Sequence, residues 1–211
     1  MFSEEKARAW YPENDPVHGF DHIQRVLRLA NEIGKELNAD LDILSAAALL
    51  HDSARVDPGE DLGTHKHEQD AASFARSFLF EEGWAEEKIR AVQHCITAHR
   101  FRGEQTPETL EAKILFDADK LDVLGAFGAA RTIGYAVQAG QPIFAEPSKE
   151  FLSSGLTQRG EPHSAYHEYL FKLQNIHKNL HTDPAKRMAK QRHQVLVQFF
   201  EQLAAEARSE A

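Results

Sequence analysis

Apolar residues recur along most of this chain at spacings of three and four, the period of an amphipathic α-helix. The pattern predicts about seven helices, over residues 15–38, 41–50, 66–81, 85–99, 108–137, 165–180 and 183–208. No segment alternates apolar and polar residues for more than a few positions, so no β-strand is predicted. The predicted fold class is therefore all-α, a bundle of about seven helices around one core.

Two stretches lack this helical period. Residues 52–65 contain Pro58, Gly59 and Gly63, which predict a loop directly after the second helix. Residues 139–163 are rich in glycine, proline and serine and are predicted to form an irregular surface excursion, able to serve as a lid. The predicted organisation is one domain over 1–211, with a core at 15–137, the excursion, and C-terminal helices over 165–208.

The composition indicates a globular protein. A chain of 211 residues can bury a core of its own, and 42% hydrophobic with 27% charged residues is close to the globular norm. The net charge of −9 argues against a basic surface that binds nucleic acid non-specifically, so no nucleic-acid partner is expected. If such a protein acts on phosphates, its positive charge must be gathered locally, at a metal ion and a few arginines.

The expected location is the cytoplasm. Cys95 is the only cysteine, so no intrachain disulfide can form, which fits a reducing compartment. No apolar run approaches the roughly 20 residues that cross a bilayer, and the acidic N-terminus lacks the apolar segment of a signal peptide. No membrane partner is expected. The amphipathic last helix can pack on the core or on a second copy, which leaves a homodimer open.

Four residues of metal-ligating types lie within strongly apolar helical patterns. They are His22, His51, Asp52 and Asp119. An ionisable group in such surroundings destabilises the fold unless something pairs with it. A divalent cation bound by two imidazoles and two carboxylates would offset that cost and make water nucleophilic toward phosphate. We therefore predict that these four residues bind a metal ion.

Each of these residues also has a plainer interpretation. His22 lies on an apolar stripe and could be a core histidine with one backbone hydrogen bond. His51–Asp52 could be an ordinary helix end followed by a loop. On the later helix, Asp119 lies on an apolar face and Asp117 about 200° around the axis. Asp117 is therefore expected in solvent or behind a ligand, not on the metal.

The order of these residues and the sequence around them resemble the HD superfamily of metal-dependent phosphohydrolases. The chain has His22 within HGFDHIQRV, His51–Asp52 within ALLHDSARV, and Asp119 within LFDADKLDVLGAFGAAR. The resemblance extends over about residues 15–206. Within the superfamily, the chain is similar to the branch of HD hydrolases and nucleotide pyrophosphohydrolases. It implies hydrolysis of a phosphate ester or anhydride in a small phosphorylated metabolite, a nucleotide above all. The implied cofactor is Mn²⁺, with Mg²⁺, Co²⁺, Ni²⁺ or Fe²⁺ as alternatives.

Further residues are candidates for catalysis and substrate binding. The catalytic candidates are Asp52, Asp57, His99 and Lys120, and the substrate-binding candidates are Arg25, His18, Arg100, Arg102 and Asp122. Several HD enzymes have an acid three residues after the HD aspartate, and this chain has Arg55 there. Asp57 is the nearest substitute for that acid, and Lys120 or His99 could donate a proton. Asp122 could also orient a ligand histidine.

Two further histidines leave the number of metal ions open. His67 is either a second-metal ligand or a solvated surface residue. His99 is favoured for a contact with the substrate phosphate, with a second metal as the alternative. Because Arg55 replaces an acid, a non-catalytic sensor of nucleotide or metal is a second candidate function. A di-iron oxygenase is a third, and it requires both histidines as ligands.

Overall fold

The computed structural model describes residues 2–12, 19–53, 67–100 and 105–210. Eleven α-helices lie in these ranges, and the ranges contain no β-strand. The helices are α1 Glu4–Arg8, α2 Phe20–Leu37, α3 Leu41–Leu50, α4 His67–Glu81, α5 Glu86–Thr97, α6 Leu110–Asp122, α7 Gly125–Gln138, α8 Lys149–Ser154, α9 Ala165–Glu168, α10 Gln174–Ile176 and α11 Asp183–Ala207. Among the described residues, none of the helices is long and apolar enough to cross a bilayer. The all-α prediction is confirmed.

Seven of the helices in the described ranges have ten or more residues. Five of them, α2, α3, α4, α5 and α11, correspond to predicted helices, whereas α6 and α7 together replace one predicted helix. The short helices α1, α8, α9 and α10 were not predicted as separate elements. Helix α8 lies inside 139–163, so the prediction of a wholly irregular excursion is wrong. Its ends have clear local causes. The Ser148 side chain accepts a hydrogen bond from the Phe151 N–H, and Gly155 ends the helix at φ 74°.

The helix predicted over 108–137 is two helices, α6 and α7. Between them Leu124 is extended, at φ −109° and ψ 161°, and Gly125 follows at φ 71°, where residues with a Cβ are strained. Gly128 approaches the same turn closely, because a Cβ there would lie 2.2 Å from the Val123 carbonyl oxygen. The glycines of GAFGAA therefore permit a sharp break that the helical period did not reveal.

The helix predicted over 165–180 is also interrupted. Helix α9 continues into a π-helical segment, Tyr169–Leu173, then α10, and ends in the 3₁₀ turn His177–Asn179. The Tyr169 ring stacks on Phe200 of α11, with centroids 4.6 Å apart and planes at 12°. Both rings are buried, so this stack is part of the core beside α11.

Residue contacts divide the chain into two compact units. The first comprises Met1–Asp119 with His181–Ala185, and the second comprises Lys120–Leu180 with Lys186–Ala211. The first unit is centred on α3, which packs against α2 and α5 and is buried at every position from Ile43 to Leu50. A helix that is apolar all round is stable only when other elements surround it. The prediction of a single domain is not tested by this division and stays a prediction.

In the second unit, hydrogen bonds fasten the segment around α8. Glu161 accepts from the Ser148 N–H at 2.7 Å, the Ser148 Oγ at 2.8 Å and the Gln158 N–H at 2.7 Å. His167 joins this group through Nε2 to Glu161 Oε1, 3.1 Å, and Nδ1 to Ser164 Oγ, 2.7 Å. The Gln158 and Ser148 N–H donors lower the pKa of Glu161 to about 2. We call Ser148, Glu161, Ser164 and His167 the Glu161 network.

Candidate metal centre

The C-terminal end of α3 carries the adjacent pair His51 and Asp52. Helix α3 ends at Leu50, and residues 51–53 form a turn. Ser53 closes this turn, because its N–H and its Oγ both donate to the Leu50 carbonyl, at 3.2 and 2.9 Å. The helix therefore ends at the pair, as predicted, and neighbours in sequence can offer ligand atoms to one point.

The His51 ring is fully buried, and one of its two nitrogens has a hydrogen-bond partner among the residues that the structure describes. Nδ1 lies 2.9 Å from the Ala48 carbonyl oxygen, so in the neutral ring it carries the proton and donates it there. Nε2 then presents a lone pair, 3.8 Å from Asp52 Oδ2, and is without a partner among the described residues. A buried lone pair facing a carboxylate is unfavourable unless a cation lies with them.

Two other predicted ligands reach the same place from α2 and α6. The buried His22 Nε2 lies 3.5 Å from Asp119 Oδ1, and the His22 and His51 ring centroids are 5.5 Å apart. One ligand atom each from His22, His51 and Asp52 lies within 4.8 Å of the others. The Asp119 carboxylate is partly accessible, with 14% of its side chain exposed. All four predicted ligands therefore lie together in the first unit.

The histidines at the start of α4 and after α5 complete a second group around Asp52. Nε2 of His67 lies 3.8 Å, and Nε2 of His99 3.7 Å, from Asp52 Oδ1. The alternative of a solvated surface residue is wrong for His67, whose exposed fraction is 6%. His99 Nδ1 contacts the Ile96 carbonyl, as His51 contacts Ala48, so its Nε2 is the nitrogen that carries a lone pair.

These residues fit a divalent metal ion in the chemistry of their donors. Four imidazoles and two carboxylates suit Mn²⁺, Fe²⁺, Ni²⁺ or Zn²⁺, and backbone carbonyls fix the tautomer of two of the histidines. Asp52 belongs to both groups of three described ligands, His22–His51–Asp52 and Asp52–His67–His99. The donor set is therefore large enough for one ion or for two that share Asp52. We call these six residues, His22, His51, Asp52, His67, His99 and Asp119, the metal cluster.

Asp117 is not in the metal cluster and has a different task. Its side chain is fully buried, so the solvent alternative is wrong. Its carboxylate accepts hydrogen bonds from the His181 N–H at 2.8 Å and from the Thr182 N–H and Oγ1 at 2.7 Å. Burial raises the pKa of Asp117, and these hydrogen bonds oppose the rise. Asp117 thus fastens the two residues that immediately precede α11.

Asp122 and Lys120 lie in the part of α6 that belongs to the second unit. The Asp122 Oδ2 accepts from Arg131 Nη1 of α7 at 2.7 Å, and only 1% of Asp122 is exposed. This carboxylate therefore bridges α6 to α7 across the break between them. Lys120 is buried as well. Roles for Asp122 in substrate binding and Lys120 in proton transfer stay predictions.

The predicted phosphate-binding arginines in the described ranges each contact an acid. Arg25 Nη1 donates to Asp21 Oδ2 at 2.6 Å, one turn away on α2. Arg100 Nη1 donates to Glu68 Oε2 at 3.1 Å and is about one-third exposed. To bind a phosphate, each arginine must leave its carboxylate partner or contact the phosphate and the carboxylate together. The remaining candidates, His18, Asp57 and Arg102, together with Arg55, lie outside the described residues.

Sequence reasoning missed Tyr11 and Glu68. The buried Tyr11 hydroxyl donates to the Leu49 carbonyl at 2.8 Å, directly before the HD pair. Burial raises the pKa of Tyr11 well above its usual value, and the Asp52 carboxylate raises it further. Glu68 follows His67 and is itself buried. Its adjacency to a candidate ligand was a usable signal, whereas nothing in the sequence near Tyr11 pointed to α3.

The chain was compared with protein families and with known proteins. The model of the HD domain matches residues 19–124, a span that contains the whole metal cluster. The protein YpgQ of Bacillus subtilis is 29% identical in an alignment that covers 94% of this chain and 91% of YpgQ. A crystal structure of YpgQ in complex with ADP has a TM-score of 0.72 and covers 97% of each chain.

Two other solved structures are similar over nearly their whole length. A protein of Lactobacillus plantarum is 28% identical, with a TM-score of 0.76 and coverage of 98% of this chain and 95% of that one. An HD-superfamily hydrolase of Bacillus thuringiensis is 27% identical, with a TM-score of 0.67 and coverage of 97% and 96%. The resemblance noted in the sequence is therefore confirmed. The chain belongs to the HD domain family.

Proposed function

We propose that this protein is a metal-dependent phosphohydrolase that acts on a small phosphorylated metabolite, a nucleotide above all. The observation that carries the proposal is the buried His51, whose Nε2 lies beside the Asp52 carboxylate and has no hydrogen-bond partner among the described residues. Such an atom is rare in a closed core, and a bound ion would account for it. Membership of the HD family and likeness to an HD-superfamily hydrolase support hydrolysis as the reaction.

His22, His51, Asp52 and Asp119 would hold the metal, and His67 and His99 would extend the set to a second ion. A bound divalent ion lowers the pKa of water and polarises a phosphoryl oxygen. The chain itself fixes the ligands: Ala48 and Ile96 carbonyls orient two imidazoles, so little reorganisation is needed. Asp119 has the most exposed side chain of the cluster, at 14%, so we expect a phosphate to approach there.

The substrate class follows from charge and from one relative. The chain carries a net charge of −9, so a phosphate is attracted only where positive groups are gathered. Arg100 and Arg25, both in the first unit, are the candidates for neutralising charge on the phosphoryl oxygens. YpgQ has been crystallised with ADP, which supports a nucleoside phosphate as the ligand here. We propose Mn²⁺ as the first metal to test.

The test is hydrolysis by parent protein, thoroughly chelated and then reloaded with Mn²⁺. Substrates are nucleoside di- and triphosphates and an aryl phosphate, with released phosphate and pyrophosphate measured separately. Chelated protein should be inactive and reloaded protein active. His51→Gln should lose both metal and turnover. The matched control His94→Gln, a histidine on α5 that accepts from the Glu108 N–H, should keep both.

Two results would contradict the proposal. Full activity in chelated protein would exclude a metal-dependent reaction. Saturable nucleotide binding without turnover, in metal-loaded protein, would favour the sensor instead.

A second candidate function is favoured by one observation. A di-iron oxygenase requires His67 and His99 as ligands, and both lie beside Asp52. Hydrolysis is preferred because one of the similar proteins is named as an HD-superfamily hydrolase. Oxygen consumption by iron-loaded protein with small alcohols, set against phosphate release by manganese-loaded protein, separates the two. A metal content of one ion per chain would exclude the oxygenase.

A further inference from the structure

The second unit contains a pocket of about 430 Å³ whose described lining is basic. It is lined by His177, Lys178, Lys186, Ala189, Lys190, His193 and Gln194. The first two come from the 3₁₀ turn after α10, and the others follow one another on one face of α11 at helical spacing. Within the described lining there are three lysines, two histidines and no carboxylate.

The two histidines lie in direct contact within this pocket. Their ring centroids are 3.9 Å apart, with the planes at 34°. The Nδ1 atom of each ring is buried, and neither makes a hydrogen bond of good geometry with a described residue. Burial of polar nitrogens without partners is unusual in a folded protein. The Gln174 carbonyl lies near the His177 ring, so the hydrogen-bonding capacity that the described residues leave unused belongs to His193 Nδ1.

The charge around the pair is unusual for this chain. The chain carries 33 acidic against 24 basic side chains, yet the described pocket wall has only basic and neutral groups. Lys178 Nζ donates to Asn175 Oδ1 at 2.7 Å, which holds that ammonium group at the pocket. Like charges gathered on a concave surface focus the field and attract a counter-ion.

We propose that this pocket is a second binding site, separate from the metal cluster, for a small phosphate-type anion. The ligand class is inorganic phosphate or the phosphate groups of a small metabolite such as a nucleotide. Lys178, Lys186 and Lys190 supply the charge. When protonated, His177 and His193 add positive charge and a second ring N–H each. The inference does not depend on the proposed phosphohydrolase activity.

A cation is the opposite alternative, since paired histidines also bind metals. Two imidazoles are fewer ligands than the three or four protein groups of ordinary zinc sites. Three ammonium groups on the same wall repel a cation and attract an anion. An extended nucleic acid is disfavoured by the acidic surface expected from the net charge. A compact anion agrees with both the shape and the charge of the pocket.

The histidines make the site sensitive to pH in a defined direction. Burial, and then Lys178, lowers the pKa of His177 below its usual 6.5, and a hydrogen bond to the Gln174 carbonyl opposes this. Burial, then His177 and Lys178, lowers the pKa of His193. Both rings are therefore neutral at pH 7. An anion favours their protonated forms, so it should bind more tightly as pH falls below about 6.5.

The experiment is an NMR titration of the full-length chain, following the ring carbon–proton signals of its histidines. The probes are inorganic phosphate, imidodiphosphate, which resists hydrolysis, and ADP, each at constant ionic strength. The signals of His177 and His193 should shift saturably with chelator present or absent, and their pKa values should rise when a probe is bound. Tighter binding of ADP than of imidodiphosphate would assign a nucleotide, and equal binding would assign the phosphates alone.

Charge removal gives the decisive comparison. The double variant Lys178→Met/Lys190→Met should bind each probe at least about tenfold more weakly. The matched control is Lys149→Met, which removes an exposed ammonium group from α8 in the same unit and should bind as the parent does. Melting temperatures show whether all variants are folded.

Three outcomes would overturn the proposal. They are no shift of either histidine at 10 mM probe, an equal loss of binding in Lys149→Met, or a response to Zn²⁺ with none to phosphate.

Discussion

Two clusters of histidine and carboxylate, one in each unit, use similar residues in different ways. In the Glu161 network the buried His167 has partners for both ring nitrogens, Ser164 Oγ at 2.7 Å and Glu161 Oε1 at 3.1 Å. In the metal cluster the equally buried His51 has a partner for Nδ1 and none among the described residues for Nε2. The two histidines differ in hydrogen bonding, not in burial.

A structural cluster and a ligand site can therefore contain the same residue types. They differ in whether every buried polar atom has a hydrogen-bond partner. Hydrogen bonds link Ser164, His167 and Glu161 in the serine–histidine–acid arrangement of a catalytic triad. Ser164, however, is fully buried. Its Oγ also accepts from the His167 N–H, as the cap of α9. No substrate can reach it. The Glu161 network therefore fixes the segment around α8, and the metal cluster is where chemistry is expected.

The largest effect is expected from Asp52→Asn. This carboxylate belongs to both groups of ligands, so an amide there should lower turnover more than about 100-fold and reduce bound metal. Metal analysis and steady-state rates measure both. Parent-like activity in Asp52→Asn would show that the metal cluster, like the Glu161 network, is not needed for turnover.

Asp119→Ala should remove bound metal and turnover while the circular dichroism remains helical. The reason is that Asp119 Oδ1 lies 3.5 Å from His22 Nε2, inside the metal cluster. Chelated Asp119→Ala should melt no lower than chelated parent, because a largely buried carboxylate is costly without its cation. Equal metal content in parent and variant would overturn the assignment.

Asp117→Ala, two residues away, should behave in the opposite manner. It removes three hydrogen bonds to His181 and Thr182 and leaves buried donors behind. We expect a loss of about 2 kcal/mol in the free energy of unfolding, or roughly 4–8 °C in melting temperature. Bound metal should stay at the parent level. A variant that melts like the parent but loses its metal would make Asp117 the ligand.

Glu161→Gln should affect stability alone, and in a pH-dependent way. The pKa of Glu161 is held at about 2, below the usual 4.5, so its stabilisation is complete above pH 4.5 and is lost as pH falls toward 2. In chelated protein the variant should melt a few degrees below the parent at pH 6, and by less at pH 3. The same difference at both pH values would show that the ionised carboxylate is not what fastens the segment.

The smallest effect is expected from Tyr11→Phe. The change removes the hydrogen bond to the Leu49 carbonyl, worth about 1 kcal/mol, at the point where α3 leads into the HD pair. The melting temperature should fall by about 2–4 °C. Metal affinity should fall severalfold while turnover at saturating metal is kept, as shown by activity over a range of Mn²⁺ concentrations. An unchanged metal dependence would mean that Tyr11 serves stability alone.

The sequence by itself determined the class of the fold and the identity of the first four candidate ligands. Helical spacing predicts seven long helices, of which five are present as single helices in the described ranges: α2, α3, α4, α5 and α11. The apolar run before His51–Asp52 predicts a buried pair at a helix end. The angle around the helix between Asp117 and Asp119 predicts that Asp119 is the candidate ligand and that Asp117 is not. These are properties of local periodicity, which a sequence carries directly.

Only the tertiary structure decided which side chains, distant in sequence, contact one another. His67 lies at the start of an amphipathic helix, and its ring is buried because α4 packs on α5 and brings it to Asp52. The break between α6 and α7, the anchoring of Thr182 by Asp117 and the contact of His177 with His193 likewise depend on neighbours that are distant in sequence or on backbone turns. The spacing of apolar residues along the chain predicts which side chains are buried. Their hydrogen-bond partners and distances depend on how the helices pack against one another.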